Sequence, residues 1–394
     1  MSTIVNSWTE WQPLERVLVG RPEGTNHPAP EPMWNYHRPE AGHPLPNYGP
    51  FPDEMVDKAN EQMEDFIEVL EGEGVTVDRI EIQDFMEDRD PVSTPDWTQL
   101  NSYGANNVRD MTMIHGNFII ECASGRRSRY WEFLNLRDVF EEYFEEDDGM
   151  VHIAAPKPRL TDESYVENYD HKFRNEWSDD EKRERHFEAR YSLTEHEPLW
   201  DAADAMRFGK DIFHQVSAVT NWKGFKWLKQ LGEALDLRFH HVQFDSPTDP
   251  DKVDNFRPWH TDVDLVPLRE GLAMYNPDWS PITDELWELF EANDWELVPA
   301  ARPSHVYESE YRIFGGYGEK SWISMNTLSL GPETVCVEAH ETEYIKQLAD
   351  LGFDVIEIPY DHVIPFGGAL HCTTLDVTRK GGKEDYFPNQ IDGY

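Results

Sequence analysis

The stretch TVCVEAHETEYIKQLADLGFDVIEIP, residues 334–359, decides the fold class of this chain. A short apolar run is followed by a segment with apolar side chains at helical spacing, then by Gly352 and a second apolar run. Apolar residues at i, i+3, i+4 and i+7 predict an amphipathic helix, and the β-branched runs on either side predict strands. The stretch therefore predicts a strand–helix–strand unit.

The same pattern recurs along the rest of the chain. Amphipathic segments that end in a Gly, Asp or Asn stop and continue into a short apolar run begin at residues 52, 127, 221 and 283, and a strand-like segment precedes each of them. Alternating strands and helices are typical of one doubly wound parallel sheet. Five similar units favour instead a radial arrangement of repeats, which places a site on the central axis. The sequence therefore predicts an α/β fold.

Two long stretches interrupt the repeats. Residues 21–52 are rich in proline and residues 157–200 are rich in charge. Both are predicted to be loop excursions, and long ordered loops often cover a site. Because neither resembles a linker between domains, we predict a single domain over residues 1–394.

The formal net charge of −42 is strongly negative, and the acidic residues are spread along the whole chain. Phosphate recognition needs a basic surface, so the composition argues against nucleic-acid binding. We interpret the acidity as an adaptation for solubility, such as in high salt. Steering of a cationic substrate is a second reading, compatible with the first.

Signals for targeting, membranes and metals are missing from the sequence. The first residues contain no basic stretch with a long apolar run, and no segment approaches the roughly 18 apolar residues of a membrane span, which predicts a cytoplasmic protein with no membrane partner. Cys122, Cys336 and Cys372 are far apart and are predicted to be free thiols. No H-E-x-x-H pattern, paired cysteines or dinucleotide-binding fingerprint is present, so zinc and such a cofactor are not expected.

A cysteine follows a Gly-Gly pair in PFGGALHCTTLDV, residues 365–377. Gly367 and Gly368 indicate a place where backbone or substrate comes close, so Cys372 is a candidate nucleophile as well as a candidate core residue. A thiol with a pKa of about 8.5 is only slightly ionised at neutral pH and needs assistance. On a strand, His371 and Cys372 would point to opposite faces, so the base is expected elsewhere.

Other acids and a second histidine offer partners for the thiol. His260 and Asp262 are two residues apart, and strand geometry would place them on one face as a base beside a carboxylate. Asp110 stands just before a predicted strand, while Asp201 and Asp204 would share one face of a helix. Each of these acids also fits a helix cap or a solvated helix face.

Several segments share their order and residue types with one known family. They are NVRD with GNFIIE, then RSRYWEF, APKP, DAADAMRFGKDIF, VTNWKG, HTD, WISMN and FGGALHCTTLDVTR. The match spans roughly residues 7–380 and resembles the arginine amidinotransferases, the family of glycine amidinotransferase within the guanidino-group-modifying superfamily. That family folds as an α/β-propeller of five ββαβ modules around a pseudo-fivefold axis, in agreement with the five predicted units.

The resemblance implies a role for individual residues. Cys372 corresponds to the family nucleophile, His260 to its general acid/base, and Asp201 to the carboxylate beside that histidine. Asp110 and Asp262 correspond to the acids that hold the guanidinium. The implied reaction moves the amidino group of L-arginine through the cysteine to an acceptor amine and releases ornithine, by a ping-pong route without metal or organic cofactor. Homodimers are common among the relatives.

Two tryptophans depart from the glycine-type pattern, whereas Ser324 falls near a substrate-contacting serine of the family. Trp279 stands where glycine-type enzymes have an arginine that binds a substrate carboxylate, and Trp259 replaces a smaller side chain. The acceptor is therefore glycine or another primary amine of the kind modified in natural-product pathways.

Three other functions stay open from the sequence. A hydrolase on the same fold, in which water resolves the amidino-cysteine, uses the same cysteine, histidine and acids. A non-catalytic protein could bind arginine at these residues without turnover. In a purely structural protein, Cys372 would be a packed and unreactive thiol.

Overall fold

A computed structural model of the chain describes residues 3–33, 48–87, 90–245, 258–307 and 321–391. The seven predicted site residues lie within these ranges. The predicted excursion at residues 21–52 lies partly outside them. No described helix is long and apolar enough to cross a membrane.

Each predicted amphipathic segment forms a helix that buries one face. In the last of them, Thr342–Asp350, Tyr344 and Leu348 are buried while Glu343 is exposed. This helix ends before Gly352, whose φ of +88° is favoured by glycine. The five helices are Asp53–Gly72, Arg137–Glu146, Trp222–Ala234, Asp284–Ala292 and Thr342–Asp350.

Three-stranded sheets accompany these helices. In each sheet an antiparallel pair is joined, through the helix, to a third strand parallel to the second. The predicted strand–helix–strand units are therefore present, each with an additional antiparallel strand, and the described strands do not form one continuous parallel sheet. The sheets are Thr374–Arg379 with Leu14–Val19 and Thr76–Arg79; Thr112–His115 with Phe118–Glu121 and Val151–Ala154; Ala205–Phe208 with Asp211–Gln215 and Arg238–Val242; Leu265–Arg269 with Leu272–Tyr275 and Glu296–Pro299; and Leu328–Ser329 with Thr334–Glu338 and Asp354–Ile358.

The first sheet joins the two ends of the chain. Its strand Leu14–Val19 pairs antiparallel with Thr374–Arg379, with Val17 opposite Asp376. The helix Asp53–Gly72 covers this sheet with an apolar core. Because Thr374–Arg379 begins two residues after Cys372, this pairing fixes the cysteine relative to the N-terminal part of the chain.

Residues 157–200 contain helices, whereas the sequence predicted a loop excursion. The helix Asp179–Phe187 begins at Ser178, whose hydroxyl accepts the Glu181 N–H while the Glu181 carboxylate accepts the Ser178 N–H. This reciprocal pairing is a capping box, and the S-x-x-E spacing that encodes it is visible in the sequence. Further short helices are Asp162–Ser164, Tyr169–His171 and Lys172–Glu176.

A short turn precedes the first strand of each three-stranded sheet. The turns are Val108–Asp110, Ala202–Asp204, Thr261–Val263, Trp322–Met325 and residues 370–373. The first four contact one another in chain order. The fifth meets the fourth, since the His371 N–H donates to the Asn326 carbonyl across 3.3 Å, and its strand contacts the first. Corresponding positions of the five units therefore meet in one place.

The remaining described elements are short. Two-residue strands form two small pairs, and a single helical turn and additional 3₁₀ turns connect the larger elements. They are Asn26–His27 with Gly49–Pro50, Val92–Ser93 with Thr98–Gln99, the helix Asp84–Glu87, and the turns Arg127–Arg129, Glu132–Leu136 and Ile364–Phe366.

Candidate active site

The five turns carry six of the seven predicted site residues, or lie directly beside them. Asp110, Asp262, Ser324 and Cys372 lie within the turns, and Asp201 and His260 each immediately precede one. All six are buried. The structure therefore brings together residues that lie far apart in the sequence. The turns that carry Asp110 and Cys372, for example, are joined by a hydrogen bond between Arg109 and His371, which are 262 positions apart.

The Cys372 thiol lies in a buried, acidic environment. Its Sγ is 3.4 Å from Asp262 Oδ2, and Asn326 Nδ2 donates to the sulfur across 3.2 Å. Burial, followed by the charges of Asp262 and Asp110, raises the pKa of Cys372 well above its usual value. The free protein therefore holds a thiol, and a cation placed between these carboxylates would favour the thiolate.

Cys372 lies in a turn before the strand, which corrects the prediction that it shares a strand with His371. The Thr373 N–H donates to the Ala369 carbonyl across 3.1 Å, as in a helical turn. The two side chains therefore do not alternate across a sheet. His371 Nδ1 lies 2.9 Å from Asp262 Oδ2, the same oxygen that the thiol approaches.

The Gly-Gly pair before the cysteine is explained by close packing. Gly367 has a φ of +92°, in the left-handed region. A Cβ on Gly368 would lie 2.6 Å from the Cβ of Cys372 and would also collide with Asn107 Oδ1. The close approach that the sequence indicated is made here by the protein's own side chains.

His260 lies between two carboxylates. Its Nε2 is 3.4 Å from Asp201 Oδ2, and its Nδ1 is 3.7 Å from Asp110 Oδ1. Burial lowers the pKa of His260, but the charge of Asp110 and the hydrogen bond to Asp201 outweigh it and raise the pKa to about 9. The ring is therefore an imidazolium at neutral pH and can serve as an acid. His260 and Asp262 belong to the turn around Thr261–Val263, so their predicted strand geometry is wrong.

Asp201 and Asp204 have different partners although they are three residues apart. Asp204 accepts hydrogen bonds from the Ser217 hydroxyl across 2.7 Å and from the Thr220 hydroxyl across 2.5 Å. Asp201 faces His260 instead. The two acids lie at a single 3₁₀ turn, and the predicted shared helix face is not formed.

Arg129 fixes the orientation of Asp110. Its Nη1 donates to Asp110 Oδ2 across 2.5 Å, and its Nε donates to Glu132 across 2.6 Å. The guanidinium thus occupies one oxygen of Asp110 and leaves Oδ1 on the side of His260. The RSRYWEF segment supplies both Arg129 and Glu132, which gives that segment a supporting role in the site.

Three buried carboxylates each keep one oxygen without a hydrogen-bond partner among the described residues. These atoms are Oδ1 of Asp110, Asp201 and Asp262, and the hydroxyl of Ser324 is in the same situation. Buried charged oxygens without donors are costly, which makes them candidates for binding a ligand rich in N–H groups. A guanidinium is a planar cation with forked donors that match carboxylates. The arrangement is therefore suited to holding a guanidinium near Cys372.

Trp279 follows the residues Asn276–Pro277–Asp278 and packs beside the turn that carries Ser324. Its backbone N–H donates to Asn276 Oδ1 across 3.0 Å, and its half-buried ring packs against the cluster that contains Trp322 and Met325. Those two residues belong to the turn that carries Ser324. The indole Nε1 has no partner among the described residues.

Asn326 is a site residue that the sequence reasoning missed. Its side-chain Nδ2 donates to Asp262 Oδ2 across 2.7 Å and to Cys372 Sγ, while its side-chain Oδ1 accepts the Cys372 backbone N–H across 3.0 Å. The signal was available, because Asn326 is the last residue of the matching WISMN segment. Its amide offers both a donor and an acceptor, as this position requires.

One group of metal-ligating side chains lies apart from this site. Glu338, His340 and Asp361 place ligand atoms within 4.8 Å of one another. Glu338 Oε1 already pairs with His340 Nδ1 across 2.7 Å.

Known proteins with related sequences place this site in a family. No protein-family model matches the chain. The mitochondrial glycine amidinotransferase of Xenopus tropicalis is 33% identical over 392 residues, which cover 97% of this chain and 85% of that protein. The L-arginine:L-lysine amidinotransferase of Pseudomonas savastanoi pv. phaseolicola is 33% identical over 393 residues, which cover 97% of this chain and 96% of that protein. The chain belongs to the amidinotransferase family.

The fold agrees with this membership. The solved structure of an amidinotransferase of the saxitoxin biosynthetic pathway from Microseira wollei superimposes with a TM-score of 0.81 at 35% identity, covering 97% of this chain and 99% of that one. The family resemblance drawn from the sequence segments is thereby confirmed. The reaction class of the chain is the transfer of an amidino group.

Proposed function

We propose that the chain transfers the amidino group of L-arginine, through a covalent amidino-Cys372, to a primary amine and releases ornithine. The observation that carries this proposal is the group of buried carboxylate oxygens that have no donor among the described residues, at Asp110 and Asp262 near the thiol and at Asp201 beside His260. These oxygens suit the edge of a guanidinium and would hold its carbon near the sulfur.

The first half-reaction starts when the cation binds. Its charge offsets the carboxylates of Asp110 and Asp262, which otherwise oppose the thiolate, so the thiol releases its proton to solvent and regains one only after the product has left. The Cys372 sulfur then attacks the guanidinium carbon and forms a tetrahedral adduct. The His260 imidazolium gives its proton to the departing nitrogen, the carbon–nitrogen bond breaks, and ornithine leaves.

The second half-reaction reverses these roles. The neutral His260 accepts a proton from the acceptor amine as its nitrogen attacks the amidino carbon. The carbon–sulfur bond breaks, and the guanidino product leaves with Cys372 as a thiolate and His260 again protonated. Asp201, 3.4 Å from the ring, stabilises the protonated form in both directions.

The environment of Trp279 supports an acceptor other than glycine. An indole N–H can donate one hydrogen bond but cannot offset the charge of a carboxylate. The related proteins named above include enzymes whose names specify glycine and lysine, and one from a toxin pathway, so the family accommodates different acceptors. We therefore assign this chain an amine acceptor that is not recognised through an ion pair at Trp279.

The five units are proposed to form an α/β-propeller around a pseudo-fivefold axis. The support comes from their common ββαβ order and from the contacts between corresponding turns. Such an arrangement would place Cys372 and its partners on the axis, with one or two site residues from each unit.

An isotope experiment tests the reaction and separates it from its alternatives. L-Arginine labelled at the guanidino carbon is incubated with the protein and separately with glycine, lysine, putrescine, hydroxylamine or buffer alone, and the products are identified by mass spectrometry. We expect labelled guanidino product and ornithine only when an amine is present. Labelled urea or labelled citrulline in buffer alone would identify a hydrolase, and arginine binding without any product would identify a binding protein. Cys372→Ala is the matched control.

A further inference from the structure

A second buried histidine lies beside the nucleophile and takes no part in the proposed proton transfers. His371 Nδ1 is 2.9 Å from Asp262 Oδ2, and its Nε2 is 3.3 Å from Glu10 Oε2. All three side chains are buried. A carboxylate only accepts hydrogen bonds, so the ring satisfies both of these carboxylates only when each of its nitrogens carries a proton.

Glu10 is held rigidly on the far side of this histidine. Arg207 donates to its two oxygens from Nε across 2.6 Å and from Nη2 across 2.5 Å. Burial raises the pKa of Glu10, but the charge and hydrogen bonds of Arg207 outweigh it and keep the pKa well below its usual value. Glu10 therefore presents a fixed negative charge to His371.

The main chain around His371 is fixed as well. Arg109 Nε donates to the carbonyl of His371 across 2.8 Å and to that of Thr374 across 2.9 Å. The other end of this guanidinium is paired with Asp376 across 2.5 Å. The backbone and Glu10 are both held by arginine side chains, and in the observed orientation the ring lies between Glu10 and Asp262.

This orientation decides how Asp262 uses its two oxygens. Oδ2 receives His371, Asn326 and the Cys372 thiol, and Oδ1 has no partner among the described residues. We propose that His371 is a positioning residue, held as a cation by Glu10, that aims the open oxygen of Asp262 at the guanidinium and weakens the repulsion between Asp262 and the Cys372 thiolate. This inference rests on the proposed function for its guanidinium ligand.

Alkylation of the free protein tests the electrostatic part without any substrate. The rate of Cys372 carbamidomethylation by iodoacetamide follows the thiolate fraction, so a rise of about one unit in the thiol pKa slows it about tenfold at pH 8. Peptide mass spectrometry separates Cys372 from Cys122 and Cys336. Besides Asp262, the titratable or charged groups of the described residues that surround His371 and the thiol are Glu10, Arg109, Asp110, Arg207, His260 and Tyr360.

Three variants give distinct expectations. His371→Asn keeps a donor for Asp262 but no charge, and His371→Ala keeps neither, so both should slow alkylation about tenfold. The KM for arginine should rise at least several-fold in His371→Ala and return towards the wild-type value in His371→Asn. His340→Asn, which removes a histidine paired with Glu338 outside the site, should change neither quantity.

Glu10→Gln keeps the test decisive if the His371 variants do not fold. If the Glu10 charge acted only directly on the thiol, removing it would lower the thiol pKa and speed alkylation. If Glu10 holds His371 as a cation, removing it also removes that cation, raises the thiol pKa and slows alkylation. Unchanged or faster alkylation in Glu10→Gln, or unchanged alkylation in a folded His371→Asn, overturns the inference. Formation of the amidino-enzyme from arginine by wild-type protein is measured separately, so failure of the proposed function is distinguishable.

Discussion

Replacing Asp201 by Asn changes the charge beside His260 while keeping the shape of the side chain. The carboxylate lies 3.4 Å from His260 Nε2, and the pKa of the ring is raised to about 9 with Asp201 among the causes. An opposite charge at this distance shifts a buried group by about 1 to 3 pKa units. With the charge removed, the pKa of His260 should therefore fall into the range of about 6 to 8.

The size of the effect on rate follows from the protonated fraction of His260. A fall of about two units, to a pKa of about 7, leaves the ring mostly protonated at pH 6 but reduces its protonated fraction about tenfold at pH 8. The proposed first half-reaction needs the protonated ring. Asp201→Asn should therefore react with arginine at a rate relative to wild type that worsens about tenfold between pH 6 and pH 8.

The assay is the second-order rate of amidino-enzyme formation at low arginine concentration, by rapid quench and intact-protein mass spectrometry. This quantity reports the ionisation of the free protein. Asp211→Asn is the matched control, because Asp211 is a buried carboxylate 2.6 Å from another buried histidine, His240, outside the site. A ratio of Asp201→Asn to wild type that stays constant from pH 6 to pH 9 would refute the assigned role of Asp201.

Two further predictions concern the surroundings of the thiol. Asp262→Asn removes a charge that raises the thiol pKa, so Cys372 alkylation by iodoacetamide should become faster at neutral pH. Amidino-enzyme formation should instead slow about a hundredfold, the scale of losing one charged transition-state contact. A change of both rates in the same direction would contradict this prediction. Gly368→Ala places a Cβ 2.6 Å from that of Cys372 and should lower the free energy of unfolding in urea by about 1–3 kcal/mol, whereas Gly382→Ala, whose Cβ would meet no atom within 4 Å, should have little effect. Equal unfolding free energies for the two glycine variants would show that the packing argument is wrong.

The repetition of the fold could be predicted from the sequence because each unit carries its own pattern. Helices such as Thr342–Asp350 show apolar spacing that a single face must bury. The first strand of each sheet is less visible, since strands such as Leu328–Ser329 are too short for an alternating pattern. The pairing of such a first strand depends on contacts with other strands of its sheet, and these contacts cannot be recognised from a short stretch of sequence.

The chemistry of the site was predictable at the level of residues, and its geometry was not. Cys372, His260 and the three acids Asp110, Asp201 and Asp262 could be predicted as site residues from residue types and family resemblance. The segment before Cys372 resembles a strand, because the apolar residues on either side of His371 obscure the turn closed by Thr373 and Ala369. For this reason the contact between His371 and Asp262 could not be predicted.

Glu10 illustrates a second reason why sequence reasoning fell short. It lies near the start of the chain, 361 positions from His371, and no local pattern links the two residues. They meet because the N-terminal segment runs beside the C-terminal strand Thr374–Arg379, through the paired strand Leu14–Val19 and the bridge between Asn6 and Thr378. Buried ion pairs of this kind depend on the whole fold.

Covalent transfer through Cys372 is tested most directly by the mass of the intact protein after a brief incubation with arginine. We predict an added mass of about 42 Da, one amidino group on Cys372, that is absent from Cys372→Ala and disappears when an acceptor amine is added. An unmodified wild-type protein that nevertheless converts arginine, or the same added mass on Cys372→Ala, would contradict covalent transfer through this cysteine.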